Sequence, residues 1–387
     1  MSDWIEYCNL EKGGRWAGRR VANGNPKAFD VKYWSLGNEN YLRGEMGAKA
    51  PAEWGPYVRE SAKMMKRVDP SIEIVAACMG TDWYYETQRA LYSSVDWNLN
   101  LLKEAGSFLD WISIHGYWDR RYRTERVNSS YDACMAYTLD IENRILTAKY
   151  ALGLTGYLGK IRIAFDEWNL RGWYNPHVDS VAEDYLTPRD ENDINSTYTM
   201  ADAVFSACFL NQCLKHCDLV GMANFSPTVN ARGAIFTHKD GIVLRPSYHV
   251  FELYTKHMGD TVLDSWVSAN ESFEVDADSH SAQIPSLDIV ATRKQDTGAV
   301  CLSVVNRNPA KAMELDIKLP DPSDVSSAKI YTVNGSDQDA YNDVDRPDNV
   351  KLVESILPSI AEHGLVIKVP PHSVSVLVLS KAERKFF

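Results

Sequence analysis

The stretch VKYWSLGNEN (31–40) begins as an apolar strand and ends in a polar cluster, Asn38-Glu39-Asn40. A second run, IRIAFDEWN (161–169), shares the design and ends in Asp166, Glu167, Trp168 and Asn169. Strands that finish in amides and carboxylates are built to present them at their tips. Three more short apolar runs follow the same texture: IEIVAACMG (72–80), LDWISIHGY (109–117) and DLVGMANF (218–225). Near-continuous rather than alternating hydrophobicity fits parallel strands buried on both faces.

Helical segments separate these strands. In PAEWGPYVRESAKMMKRVDPS (51–71), Trp54, Val58, Ala62, Met65 and Val68 form one apolar stripe at spacings of three and four, and Asp69-Pro70 ends it. SYDACMAYTLDIENRILTAKYALG (130–153) predicts a second helix closed by Gly153, and NSTYTMADAVFSACFLNQCLKHC (195–217) a third with Ser or Thr near its start. Strands alternating with helices imply βα units and a parallel sheet. After about residue 255 the pattern becomes short strands between Gly, Pro, Asn and Asp, with Asp296-Thr297-Gly298 at a turn. The expectation is a βα portion over 1–254 and an all-β sandwich over 255–387.

Composition narrows the classes of function. The 387 residues carry a net charge of −11 with scattered Lys and Arg, so no basic stripe for nucleic acid is present. No apolar run reaches the ~20 residues of a membrane span, and MSDWIEYCNLEKGG (1–14) has no basic and apolar leader pattern. The 7 cysteines form no C-x-x-C pair, and Cys208, Cys213 and Cys217 read as small hydrophobes rather than ligands with His216. A reducing, cytoplasmic setting and no metal or cofactor are expected. The 11 Trp and 20 Tyr suit stacking on sugar rings or a large aromatic core, and composition leaves both open.

In parallel βα folds the active site lies at the C-terminal ends of the strands. The candidates there are Asn38 and Glu39, then His115 and Tyr117, then Asp166, Glu167, Trp168 and Asn169, then Asn224 and Ser226. Two glutamates at two strand ends match the need of a retaining glycosidase for a nucleophile and a separate proton donor about 5–5.5 Å away.

The segments KYWSLGNE (32–39), VDPSIEIVA (68–76), DWISIHGYW (110–118), FDEWN (165–169) and ANFSPTVN (223–230) together resemble the family-51 α-L-arabinofuranosidases. That resemblance implies a (β/α)8 TIM-type barrel with its two glutamates on strands four and seven. It implies Glu39 as general acid/base, its pKa raised by burial and by the charge of Glu167, and Glu167 as nucleophile. It further implies Asn38 on the sugar 2-OH, Tyr117 as a hydrogen-bond partner of Glu167, and His115 as polar support. Trp168 and Asn224 are substrate-binding candidates, with Trp34, Trp118 and Trp173 as further candidates for sugar-facing walls. The implied substrate is an arabinofuranosyl oligo- or polysaccharide of the arabinan or arabinoxylan type. Homo-oligomers are also implied. Alternatives are an endo-β-glucanase or xylanase of the same superfamily and an inactive, truncated carbohydrate-binding remnant.

Two departures from the family pattern stand out. Pro227 occupies the position where the family often carries a sugar-contacting Gln, leaving that contact to Asn224 or Asn230. The Glu39 strand, expected fourth, comes almost first. Three βα units, roughly 100 of the ~250 residues of a whole barrel, are therefore expected to be missing, leaving about five strands.

Overall fold

The computed structural model describes all residues except 119–129, 171–194, 231, 278–279, 320–324, 358–364 and 382–387. The chain forms two compact units. The first comprises Met1–Gly116, Glu142–Glu167 and Asp218–Asn224; the second comprises Tyr117–Ile141, Trp168–Cys217 and Phe225–Phe387. Neither unit is a single stretch of sequence. Every strand beyond residue 255 lies in the second, together with segments from the βα portion.

The five expected strands are present as β1 (Tyr33–Leu36), β2 (Glu73–Ala77), β3 (Trp111–Tyr117), β4 (Arg162–Asn169) and β5 (Val220–Phe225). They form one sheet in the order β1-β2-β3-β4-β5. β1 pairs parallel with β2 from Tyr33↔Glu73 to Leu36↔Ala76, and β2 pairs parallel with β3 from Val75↔Trp111. Sequence neighbours being spatial neighbours, each joined through a helix, is the signature of repeated right-handed βα units.

The first-unit helices show why this sequence settles so. Pro51–Val68 starts with Pro at its first position, and the Glu53 carboxylate accepts the Ala50 N–H at 2.9 Å. Its stripe of Trp54, Val58, Ala62 and Met65 is buried as the spacing predicts. Ser94–Ala105 is capped by Ser93, whose Oγ accepts the Asp96 N–H at 3.1 Å. Trp54 and Trp97 stack with centroids 5.6 Å apart. Both indoles donate to the Ala77 carbonyl, at 3.1 and 2.9 Å, clamping the C-terminal end of β2. Complete burial of two such rings contributes several kcal/mol, at about 25 cal/mol per Å² of apolar surface. The segment SDWIEYCNL is helical over Ser2–Asn9, with Ile5 and Cys8 facing inward and Trp4 exposed.

The second unit contains the helices Tyr131–Tyr137, Met200–Lys215 and Pro246–His257. The single helix expected over 130–153 is broken, resuming as Ile141–Leu154. Polar anchoring marks the break: Thr138 Oγ1 donates to the Met135 carbonyl at 2.6 Å and accepts from Arg307 at 3.0 Å, while Asp140 accepts the Trp118 indole N–H at 2.9 Å.

Beyond a hairpin of β6 (Ile235–His238) and β7 (Gly241–Leu244), the unit is built from β8 (Thr261–Leu263), β9 (Ser272–Ala277), β10 (His280–Pro285), β11 (Leu287–Arg293), β12 (Val300–Asn306), β13 (Met313–Ile317), β14 (Val325–Asn334), β15 (Lys351–Ile356), β16 (Leu365–Val369) and β17 (Ser373–Lys381). A six-stranded sheet runs β15-β14-β17-β12-β11-β8, and β13 pairs with β16. Its neighbouring strands all pair antiparallel. One core joins Leu287, Val304, Ile330 and Leu377 of the large sheet to Met313 and Ile367 of the small one, so the two pack face to face. The 296–298 turn forms as expected, with Gly298 at φ 68° and its N–H on the Lys294 carbonyl at 2.9 Å.

Candidate active site

The first unit contains six of the predicted strand-end positions: Asn38, Glu39, His115, Asp166, Glu167 and Asn224. β1 stops at Leu36, and the chain then turns through Gly37 at φ 71°. A Cβ at Gly37 would lie 1.9 Å from Asn40 Oδ1 and 2.7 Å from the Trp54 ring, so this turn requires glycine. Glu39 itself is held at φ 42°, a left-handed conformation costing a non-glycine residue of order 1–3 kcal/mol. Backbone bonds from Leu42 N–H to the Glu39 carbonyl (2.8 Å) and from Lys49 N–H to the Asn40 carbonyl (2.9 Å) hold the turn. The result is a buried Glu39 beside an exposed Asn38.

His115 is the hub. It is 4% exposed, and its Nδ1 lies 2.9 Å from Glu39 Oε1 and 3.4 Å from Glu167 Oε2. Its Nε2 lies 3.2 Å from Ser113 Oγ and 3.5 Å from Asp166 Oδ1, and Ser113 Oγ donates to the same Asp166 oxygen at 2.6 Å. The His115 carbonyl accepts from Arg144 at 3.4 Å. Burial on its own would push the imidazole pKa down. Hydrogen bonds to Asp166 and Glu39 and the charges of Glu167 and Glu39 outweigh it, raising the pKa to about 10. With both glutamates ionised, His115 is thus an imidazolium at neutral pH.

One oxygen of Glu39, one oxygen of Glu167 and a ring nitrogen of His115 all lie within 4.8 Å of one another. That spacing would also suit a cation. A metal bound there would have to displace the proton from the imidazole nitrogen it uses. Chemically the arrangement is a close carboxyl pair with a fixed hydrogen-bond donor between its members.

Two residues of the hub had no role assigned from sequence, Ser113 and Asp166. Ser113 stands two positions before His115 and so shares its face of β3, a signal open to a period-two reading. Asp166 and Glu167 are adjacent on β4, where side chains ordinarily point apart. Both nevertheless reach the one imidazole, on its two nitrogens.

Among the other candidates, the tryptophans of the described residues are packed in the core. Trp168, expected to bind substrate, is a core residue instead. It is wholly buried, stacks on Phe209 at 3.7 Å between centroids, and meets Phe225 and Phe251 at 5.0 and 5.9 Å. An aromatic cluster buries this ring better than a sugar-facing wall could. Trp118 is likewise buried against Phe205 and Phe209, and Trp34 is buried with its N–H on the Val31 carbonyl at 2.8 Å. Trp173 lies outside the described residues. The Tyr117 hydroxyl donates to Ser226 Oγ at 3.1 Å, within the second unit. Asn224 is exposed. Asn230 is committed to its own loop, accepting the Thr237 N–H and donating to Thr237 Oγ1, both at 2.8 Å. Cys208 and Cys213 are buried with thiol pKa values pushed up by burial, whereas Cys217 is exposed.

Comparison with known proteins places these features in context. The family model described as the α-L-arabinofuranosidase C-terminal domain matches residues 166–373, and that of the α-L-arabinofuranosidase 1 domain matches residues 1–132. The chain is 27% identical to the intracellular exo-α-(1→5)-L-arabinofuranosidase 1 of Bacillus subtilis, over 97% of this chain and 72% of that protein. It is 27% identical to the exo-α-(1→6)-L-arabinofuranosidase of Bifidobacterium longum, over 96% of this chain and 70% of that protein. The crystal structure of the Thermotoga maritima α-L-arabinofuranosidase in complex with arabinose superposes with a TM-score of 0.80 at 26% identity, covering 98% of this chain and 72% of that one. No helix among the described residues is long and apolar enough to cross a membrane.

Proposed function

Because the chain belongs to the family-51 α-L-arabinofuranosidases, which are glycoside hydrolases, we propose that it releases terminal α-L-arabinofuranosyl residues with retention of configuration, using Glu167 as nucleophile and Glu39 as acid/base. The observation that carries this reading is the approach of Glu39 and Glu167 oxygens to within 4.8 Å. Retaining enzymes hold their carboxyl groups about 5–5.5 Å apart, whereas inverting enzymes need about 6.5–9.5 Å to admit a water.

In the first step a Glu167 oxygen bonds to the anomeric carbon. The bond to the leaving oxygen breaks, and that oxygen takes the proton of Glu39. In the second step Glu39 removes a proton from water as its oxygen bonds to the anomeric carbon, and the electron pair returns to Glu167. Asn38, exposed next to Glu39, is placed to meet the sugar 2-OH, a bond that strengthens in the transition state. The relatives named for exo-action on (1→5)- and (1→6)-linked arabinofuranose support side-chain or terminal arabinofuranose of arabinan or arabinoxylan as the substrate class.

The five-stranded parallel sheet reads as part of a (β/α)8 barrel. Strands completing it would pair with β1 and β5, the two ends of the observed order. Hydrolysis of p-nitrophenyl α-L-arabinofuranoside by the purified chain, abolished in Glu167→Ala, is the expected result. Equal rates in the two proteins would overturn the assignment.

A further inference from the structure

We propose that His115 is a positioning residue shared by both half-reactions, one ring that holds whichever of Glu167 and Glu39 carries the negative charge. This rests on the assignment of those two glutamates given above. In the first step the charge leaves Glu167, which becomes an ester, and appears on Glu39, which has lost its proton. The second step reverses this. A donor tied to only one carboxylate would favour one side of each step. The Nδ1 of His115 instead stands 2.9 Å from Glu39 and 3.4 Å from Glu167. It carries a single hydrogen, so the two bonds are alternatives, exchanged by a small tilt of the ring.

The opposite edge of the ring sets the pivot. Nε2 faces Ser113 Oγ at 3.2 Å and Asp166 Oδ1 at 3.5 Å, and the Ser113–Asp166 bond of 2.6 Å locks these two together. The groups facing the imidazole are therefore Glu39, Glu167, Asp166 and Ser113, with Arg144 on its backbone carbonyl. Three carboxylates around one ring leave Asp166 free of any step in the chemistry, and its place at Nε2 makes it the anchor that keeps Nδ1 aimed at the reacting pair.

The test is the pH profile and the burst kinetics of His115→Asn and Ser113→Ala with p-nitrophenyl α-L-arabinofuranoside. His115→Asn keeps a donor near Nδ1 and removes the charge. Both limbs of its kcat/KM profile should move to higher pH, by about 1–3 units, because both glutamates lose a neighbouring cation. The burst rate and the steady-state rate should both fall, by about 10–100-fold, the worth of one hydrogen bond to a charged group. Ser113→Ala, the milder variant should His115→Asn not fold, should slow both phases by similar factors.

A wild-type profile, or slowing confined to one phase, would overturn the inference. Glu167→Ala separates the two levels. If that variant stays active, the glutamate assignment is wrong. If it is dead while His115→Asn or Ser113→Ala behaves as wild type, only the role of His115 is wrong.

Discussion

Two polar clusters in this molecule differ in charge and in backbone strain. In the first unit, His115 sits among Glu39, Asp166 and Glu167. In the second, the Tyr254 hydroxyl donates to Asn211 Oδ1 at 2.7 Å, lies 3.2 Å from the Ala207 carbonyl and shares a 2.7 Å bond with Ser303, near an ion pair of Lys215 with the buried Asp288. The Tyr254 cluster is set on regular helices and strands, and its hydroxyl and amide are neutral. The His115 cluster crowds three carboxylates onto one cation, and Glu39 takes a strained φ to join it. A network that only holds a fold can be built largely from neutral, mutually bonded groups. One meant for chemistry keeps charges close and retains the strain needed to place them.

Substitutions in the two clusters should therefore fail in opposite ways. The largest effect belongs to Glu167→Ala, expected to lower kcat by about 10⁴-fold or more, as loss of a nucleophile does, with a melting temperature no lower than wild type. Stopped assays and thermal melts on the same preparation check both. Glu39→Ala should lose about 10²–10⁴-fold on substrates whose leaving group needs a proton. It should lose less on p-nitrophenyl arabinofuranoside, whose leaving group does not. An equal loss on both would remove Glu39 from the acid role.

In the second unit the loss should be one of stability. Trp168→Ala should cost about 3–5 kcal/mol in urea unfolding, as for a large ring removed from a packed core, while KM is unchanged where the variant is folded. A rise in KM instead would return Trp168 to the sugar site. Tyr254→Phe should cost about 1–3 kcal/mol, since Asn211 and Ser303 lose their partner, with kcat/KM unchanged.

Those two tryptophan and tyrosine results also mark how far the sequence can be read. The five strands, their parallel order and the change to all-β structure were legible because each rests on local pattern: apolar runs, helical stripes, Asp-Pro and Gly punctuation. The convergence of Glu39 and Glu167 was legible because strand tips are predictable in this kind of sheet. Trp168 was misread because "DEWN" places it beside a reactive carboxylate in sequence, while the alternating strand turns it into the Phe209 stack. The role of Asp166 was hidden for the converse reason: adjacent strand residues ordinarily diverge, and only the tertiary position of His115 shows that both carboxylates reach it. The break at Thr138 depends on Arg307, 169 residues away, which no local pattern reveals.

A further predicted difference concerns pH. His115 gains its proton more readily in the folded chain, at about 10 against an ordinary value of 6.5. Its contribution to stability is complete below pH 6.5 and is lost as pH rises toward 10. The melting-temperature difference between wild type and His115→Asn should shrink steadily from pH 6 to pH 10. Tyr254, whose pKa is raised well above 10 by burial, keeps its proton across that range. The penalty of Tyr254→Phe should accordingly stay flat, and a sloping penalty would erase the distinction between the clusters.

The central claim is that Glu39 and Glu167 are a retaining pair. Proton NMR of the reaction run with added methanol tests it most directly, because a glycosyl-enzyme intermediate can pass its sugar to methanol on the original face. The account predicts methyl α-L-arabinofuranoside accumulating alongside free arabinose. Formation of the β-anomer, or hydrolysis with no methyl glycoside at any methanol concentration, would contradict it.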